Sequence, residues 1–283
     1  MESSAARIKL GVALRSMGPQ STRETILECT RAAESAGFDD VWVQDHIAIA
    51  PDDAEGSGGR YLDPLGTLAF LAGATDRIGL GTGVLVLPYR EPLATAKWVA
   101  TIQELSGGRL LLGVGVGWLR SEFNALGLDR AQRGTASDNT LEFLNRCFAD
   151  DEVEAHGQKF LFLPRPQRPP IYVGGAAPHA LERAVRHADG WLPMGADPKQ
   201  LAEPIARLCE LARAANKPTP AVVLMTGFPV DDAARAAAQV HALAEVGVTH
   251  FIHGSRYQDA AAFRRNIESL AKHVLPVTQS YTG

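Results

Sequence analysis

The feature that most constrains the fold is an alternation, repeated eight times, of a short apolar segment with a longer amphipathic one. Most of the short segments are apolar throughout, which is typical of parallel strands covered on both faces. Their starts are mostly roughly 20–40 residues apart, the size of one strand–helix unit. The predicted strands are Ile8–Leu14, Asp40–Gln44, Ile78–Thr82, Arg109–Val114, Pro170–Gly174, Gly190–Pro193, Ala221–Phe228 and Thr249–His253.

Eight such units in 283 residues predict an α/β fold, a single (β/α)₈ TIM barrel over residues 1–283. An open doubly wound sheet is the alternative that periodicity leaves open. Its usual nucleotide-binding form is disfavoured because no GxGxxG motif follows the first strand. Helix starts are predicted at a capping-box pattern and at four prolines, each of which loses no hydrogen bond at a first helical position. These signals are Ser21 to Glu24, Pro64, Pro92, Pro178 and Pro198.

Two connections are longer than the rest, 47–62 after the second predicted strand and 115–134 after the fourth. Both follow a strand and precede a helix, so both lie at the carboxyl-terminal face of the barrel. Barrel enzymes place their active sites at that face. The sequence therefore predicts a functional site there.

Composition narrows the class of partner. Hydrophobic residues make up 46%, charged residues 21% and the net charge is −4, which favours neither nucleic acid nor an anionic membrane as the main partner. The longest apolar stretch, 78–88, is far shorter than the ~20 residues that span a bilayer. Met1–Lys9 lacks a signal-peptide pattern, and the widely spaced Cys29, Cys147 and Cys209 suit a reducing compartment. We therefore expect a cytoplasmic protein.

Several candidate site residues lie at predicted strand ends. His46, beside Asp45, would point into the mouth as a proton donor, or would belong to a loop hydrogen-bond network. Glycines of the third and fourth strands offer either a side-chain-free surface for a planar ring or simple packing space. The turn Gly174–Ala177 would bind a phosphate through backbone N–H groups and a helix dipole, or would be a plain turn. No zinc spacing or nucleophile elbow is present, so no metal is predicted and an organic cofactor is favoured.

Five stretches, 36–46, 77–84, 105–118, 170–175 and 189–191, together resemble the luciferase-like monooxygenase superfamily. The resemblance is strongest to its short branch that depends on the deazaflavin coenzyme F420. It covers residues ~8–195 in order. It implies a flavin-type ring held at the barrel mouth, from F420 or alternatively from FMN.

The resemblance also implies roles for particular residues. His46 matches the mouth histidine that approaches ring and substrate, and Gly83–Val84 matches a non-proline cis peptide behind the ring. Val116 stands where some members carry a catalytic glutamate, so their sugar-phosphate substrate is not carried over. The implied cofactor contacts are Asp45, Thr82, Gly83, Val84, Gly115, Val116, Gly117, Gly174, Gly175, Ala176 and Ala177.

The expected activity is hydride transfer between C5 of F420 and an apolar small organic substrate. The alternative is an FMN-dependent monooxygenase that uses reduced flavin and O₂ and needs a partner flavin reductase. A third hypothesis is that the protein is a non-catalytic flavin-binding barrel. Since members of the family often dimerise, a homodimer is expected.

Overall fold

The computed structural model describes residues 7–281, so most of Met1–Lys9, where no secretion signal is predicted, lies outside the described residues. The strands are β1 Lys9–Ala13, β2 Asp40–Val43, β3 Gly79–Val86, β4 Leu110–Gly115, β5 Glu152–Ala155, β6 Gln158–Leu161, β7 Ile171–Gly174, β8 Gly190–Leu192, β9 Ala221–Thr226 and β10 His250–His253. The α-helices are α1 Arg23–Ser35, α2 Pro64–Ala72, α3 Pro92–Leu105, α4 Arg120–Ala125, α5 Arg133–Ala149, α6 His179–His187, α7 Pro198–Ala214, α8 Ala233–Glu245, α9 Ala260–His273 and α10 Leu275–Ser280. Short 3₁₀ turns occupy Pro51–Asp53, Leu87–Tyr89 and Arg130–Gln132.

Eight parallel strands close into a barrel in the order β1-β2-β3-β4-β7-β8-β9-β10, and β10 pairs with β1. This confirms the predicted TIM barrel and rules out the open sheet. Each predicted strand overlaps an observed one. Because all eight strands run in one direction, their carboxyl ends and the loops that follow them converge on one face. Among residues 7–281, no helix is both long and apolar enough to cross a membrane.

The apolar core has two layers, one between strands and helices and one inside the barrel. Trp42 is the largest side chain of the inner layer and is fully buried. Its indole N–H donates to Asp40, which also bonds His250 Nε2 at 3.0 Å. Asp40 and His250 begin their strands, at the face opposite the loops that follow the strands, where polar clusters serve stability.

The structure departs from the predicted elements in three places. The antiparallel β5–β6 hairpin is not predicted, because its strands are short, charged and exposed and carry no apolar run. Strand β3 continues to Val86, four residues beyond the prediction, with a register shift against β4 between Thr82 and Leu85. The predicted loop 115–134 contains α4 and a 3₁₀ turn.

Two helix starts are also shifted by one residue. Thr22, whose hydroxyl accepts from Thr25 N, caps α1, because the hydroxyl of Ser21 donates instead to Gly18 O at 2.7 Å. Pro178 is the cap of α6 and not its first residue. The other three prolines, Pro64, Pro92 and Pro198, begin their helices as predicted, each after an acidic cap.

A buried histidine between barrel and helix predicts a pH dependence of stability. His253 Nδ1 accepts from Phe228 N at 3.1 Å and Nε2 bonds Asn266 Oδ1 at 3.0 Å, which requires a neutral ring. Burial lowers the pKa of His253 from 6.5 to about 4. Between these pKa values His253 is protonated in the unfolded chain but neutral in the folded chain. The contribution of neutral His253 to stability is therefore complete above pH 6.5 and is lost as the pH falls towards 4.

We expect the free energy of unfolding to fall by up to about 3 kcal/mol over that window because of this one group. In His253→Gln the amide keeps one hydrogen-bond acceptor and one donor but does not titrate. The free energy of unfolding of this variant should therefore fall less steeply as the pH is lowered. Denaturant unfolding of both proteins at several pH values between 6.5 and 4 measures the difference. Equal slopes for the two proteins would contradict the assignment.

Candidate active site

A cavity of about 480 Å³ opens at the carboxyl ends of the strands, within the range of roughly 300–1,000 Å³ typical of cofactor sites. Its walls come from residues that follow or end β2, β3, β4, β7, β8 and β9, so distant parts of the chain meet there. The predicted site residues among its lining are Asp45, His46, Gly83, Val84, Gly115, Val116, Gly117, Gly174 and Gly175.

One wall is made of glycines because side chains have no room there. A Cβ at Gly115 would lie 2.6 Å from Cγ2 of Val84, and one at Gly174 would lie 2.9 Å from its Cγ1. The Gly83–Val84 peptide is cis, which confirms that prediction. The result is an apolar wall with Val84 at its centre and backbone on either side, a surface that fits a planar ring.

The lining of the cavity also includes His46, which is bound to a buried carboxylate. His46 Nδ1 lies 2.9 Å from Oε2 of Glu122, whose side chain is 1% exposed. The other oxygen, Oε1, accepts from the backbone N–H groups of Ile47 at 2.6 Å and Ala48 at 3.2 Å. Because a carboxylate only accepts hydrogen bonds, His46 carries its hydrogen on Nδ1 and turns Nε2 to the cavity.

Three aromatic residues complete the surroundings of His46. The hydroxyl of Tyr89 donates to Glu122 at 2.9 Å; burial, and then that carboxylate, raise the pKa of Tyr89, so the phenol stays protonated. Tyr61 packs on the imidazole with ring centroids 4.8 Å apart. Trp118 lies edge-on to it at 6.4 Å and is 68% exposed at the mouth. The imidazole is therefore fixed on several sides while the mouth stays open.

The side chain of Asp45 makes hydrogen bonds to other groups of the protein. Its buried carboxylate accepts from Val86 N at 2.8 Å and from both terminal nitrogens of Arg90. Burial disfavours the charge on Arg90, but the bonds to Asp45 and Asp63 outweigh it and raise the pKa of the guanidinium. Asp45 therefore joins the end of β2 to the end of β3 through these bonds, and its predicted contact with a cofactor stays a prediction.

Three further predicted contacts lie outside the cavity. Thr82 is fully buried and donates its hydroxyl to Gly113 O at 2.7 Å, so its predicted cofactor contact is wrong. Alternation along β3 turns Thr82 away from the face that bears Gly83. Ala176 and Ala177 are exposed at the rim, in the four-residue turn between β7 and α6, and their contact with a phosphate stays a prediction.

Sequence reasoning missed Glu122 and Tyr89, and it named Arg90 only as a candidate rim cation for the tail of the deazaflavin, without its pairing with Asp45. Glu122 lies within the predicted loop 115–134, between the buried residues Leu119 and Phe123. A single acidic residue on the apolar face of a short helix is the signal that could have pointed to it. Its partner His46 is 76 residues away in the chain, and no local pattern links the two.

Comparisons with known proteins find relatives that match most of this chain. An uncharacterized protein of Mycobacterium tuberculosis (strain ATCC 25618 / H37Rv) is 32% identical over 274 residues, covering 87% of this chain and 92% of that protein. The 5,10-methylenetetrahydromethanopterin reductase of Methanolobus tindarius is 28% identical, covering 87% of this chain and 72% of that protein.

Among solved structures, the coenzyme F420-dependent tetrahydromethanopterin reductase of Methanopyrus kandleri has a similar fold. Its TM-score is 0.76 at 20% identity, covering 96% of this chain and 99% of that one. The family model described as luciferase-like monooxygenase matches residues 7–278. The chain therefore belongs to the luciferase-like monooxygenase family, and it is an oxidoreductase.

Proposed function

We propose that this oxidoreductase uses F420 and moves a hydride between C5 of the deazaflavin and a small organic substrate whose reacting part is apolar. The observation that carries the proposal is the glycine-walled cavity with one imidazole, held by a buried carboxylate, facing it. The similarity to a methanopterin reductase, and to the fold of a reductase described as F420-dependent, supports F420 as the cofactor. When bound, the deazaflavin supplies the hydride chemistry, and the protein supplies position and proton handling.

The residues divide this work between binding and exclusion of water. Val84 and the flanking Gly115 and Gly174 would accept the flat face of the ring. The turn from Gly174 to Ala177 would hold the phosphate by the backbone N–H groups of its last two residues, since the N–H of Gly175 donates to Leu192 O at 3.3 Å. Trp118 and the 75%-exposed Met194 stand at the mouth, where they would fold over a bound ring and exclude water.

His46 would handle the proton that accompanies hydride transfer. With its hydrogen on Nδ1 bonded to Glu122, the neutral ring offers Nε2 as a base to a group in the cavity. The same nitrogen becomes a donor when the ring is an imidazolium. Fixing the imidazole in one orientation removes the entropy cost of aligning it during the reaction.

A second candidate is an FMN-dependent monooxygenase, which the description of the family favours. It would use the same wall for the ring of reduced FMN, with O₂ as co-substrate and a flavin reductase as partner.

Equilibrium binding of F420 and FMN, each oxidised and reduced and followed by fluorescence, tests the proposal. We expect micromolar binding of F420 and weaker binding of FMN. Trp118→Ala should weaken the binding of F420 about tenfold, because an aromatic contact at the mouth is lost. The matched control is Trp98→Ala, which removes a 47%-exposed tryptophan on α3 outside the cavity and should leave the affinity unchanged. The reverse cofactor preference would support the monooxygenase, and binding of neither would overturn both candidates.

A further inference from the structure

The barrel mouth contains a second cavity, of about 810 Å³, beside the first. It is formed mainly by the segments that follow β1 and β10, with part of the 47–62 loop, whereas the first cavity lies at the ends of β2, β3, β4, β7, β8 and β9. Gln44 and Met225 line both cavities. The two cavities are therefore adjacent at these residues.

The second cavity differs from the first in carrying unpaired positive charge. Arg15 and Arg256 both line it, and neither guanidinium pairs with a carboxylate in the part of the chain that the structure describes. By contrast, three other arginines, Arg90, Arg168 and Arg183, each pair with an aspartate. Glu55 also lines the cavity, but it lies exposed on the 47–62 loop and pairs with neither arginine.

Arg15 is held in place without being neutralised. Its backbone N–H donates to the hydroxyl of buried Tyr257 at 2.7 Å, and its guanidinium reaches only the carbonyl oxygen of Tyr257, at 3.4 Å. The side chain is half-buried, whereas Arg256, one residue before Tyr257, is exposed. Tyr257 thus places both arginines on one side of the mouth. A guanidinium with free donors in a concave site binds carboxylate or phosphate groups.

We infer that the second cavity binds an anionic group of the substrate, a carboxylate or a phosphate, while the apolar reacting part lies over Met225 against the cofactor wall. This inference rests on the proposed function, and it defines the substrate class as an apolar molecule with an anionic end. Arg15 and Arg256 would select that end, since a neutral analogue leaves both charges unpaired.

Calorimetric titration of cofactor-saturated protein with benzoate, phenyl phosphate and benzamide tests the inference. Benzamide has nearly the shape of benzoate but no charge. We expect one or both anions to bind at least about tenfold tighter than benzamide, because each charged contact is made in a partly desolvated site. Arg15→Gln and Arg256→Gln should each reduce this preference, and the double variant should abolish it. Arg213→Gln, at the exposed end of α7 on the opposite face, is the matched control and should retain it.

Other outcomes would overturn the inference. Equal affinity for benzoate, phenyl phosphate and benzamide, or no detectable binding of either anion, would remove the anion site. A preference that survives in the double variant would place the anion elsewhere in the mouth. Weaker F420 binding in the arginine variants would show that the pair holds the cofactor's own anionic tail. If wild-type protein binds neither F420 nor FMN, the proposed function fails, and the same titrations on the cofactor-free protein still test the cavity.

Discussion

Glu122→Ala is expected to lower the free energy of unfolding by about 3–5 kcal/mol and cofactor-dependent turnover by at least about a hundredfold. The carboxylate accepts from His46, Tyr89 and two backbone N–H groups in a buried setting. Its removal leaves these donors without a partner, and each buried unpaired group costs about 1–3 kcal/mol. The imidazole also loses the only protein bond to Nδ1 within the described residues, so it no longer holds one orientation.

The variant Glu122→Gln separates the role of Glu122 in orienting His46 from its role in the stability of the protein. Its amide oxygen can still accept from Ile47 and Ala48, but its NH₂ group faces His46 Nδ1, which must then accept. The hydrogen of neutral His46 therefore moves to Nε2, and the ring loses the base that faces the cavity. We expect a folded protein with reduced turnover and an altered pH profile.

Nitrogen-15 chemical shifts of His46 measure this change directly, because the two tautomers differ in which ring nitrogen is protonated. Wild-type protein should show the Nδ1–H form and Glu122→Gln the Nε2–H form. Glu104→Ala, at an exposed glutamate on α3, is the control and should change neither the shifts nor the stability. Identical His46 shifts in wild type and Glu122→Gln would show that Glu122 does not select the tautomer.

Gly81→Ala should destabilise the barrel by about 3 kcal/mol. Gly81 pairs in register with Trp42 across β2 and β3. An added Cβ would lie 2.3 Å from Cδ2 of the Trp42 ring, which is fully buried and fills the inner layer. The indole has no empty space to enter, so strand or ring must shift.

A double-mutant cycle with Trp42→Leu identifies the cause. The smaller side chain makes room for the methyl group, so the double variant should be at least about 1 kcal/mol more stable than the sum of the single effects. Gly66→Ala, on α2, is the matched control, because its Cβ would meet nothing closer than 3.8 Å, and it should be as stable as wild type or slightly more so. Thermal unfolding followed by circular dichroism measures all four variants. Additive effects of Gly81→Ala and Trp42→Leu would contradict the steric explanation.

The sequence alone determined the barrel and predicted the face on which the candidate site lies. Eight apolar runs, spaced one strand–helix unit apart, indicate which segments are buried on both faces. This can be predicted because each run is recognised from its own residues alone. The two longest connections after strands then mark the functional face. Resemblance to a family added His46 and the cis peptide at Gly83–Val84, because both belong to short contiguous motifs.

Only the tertiary structure decided what each polar side chain does. Glu122 meets His46 because α4 folds back over the end of β2, and Arg90 takes the carboxylate of Asp45 that the sequence assigned to a cofactor. Thr82 turns its hydroxyl to Gly113 O and away from the cavity, whereas the next residue, Gly83, lines it. Likewise, Arg15 and Arg256 line one cavity only because β10 closes the barrel against β1. The periodicity of apolar residues along the sequence indicates which residues are buried. Hydrogen-bond partners, by contrast, depend on packing between elements that are far apart in the chain.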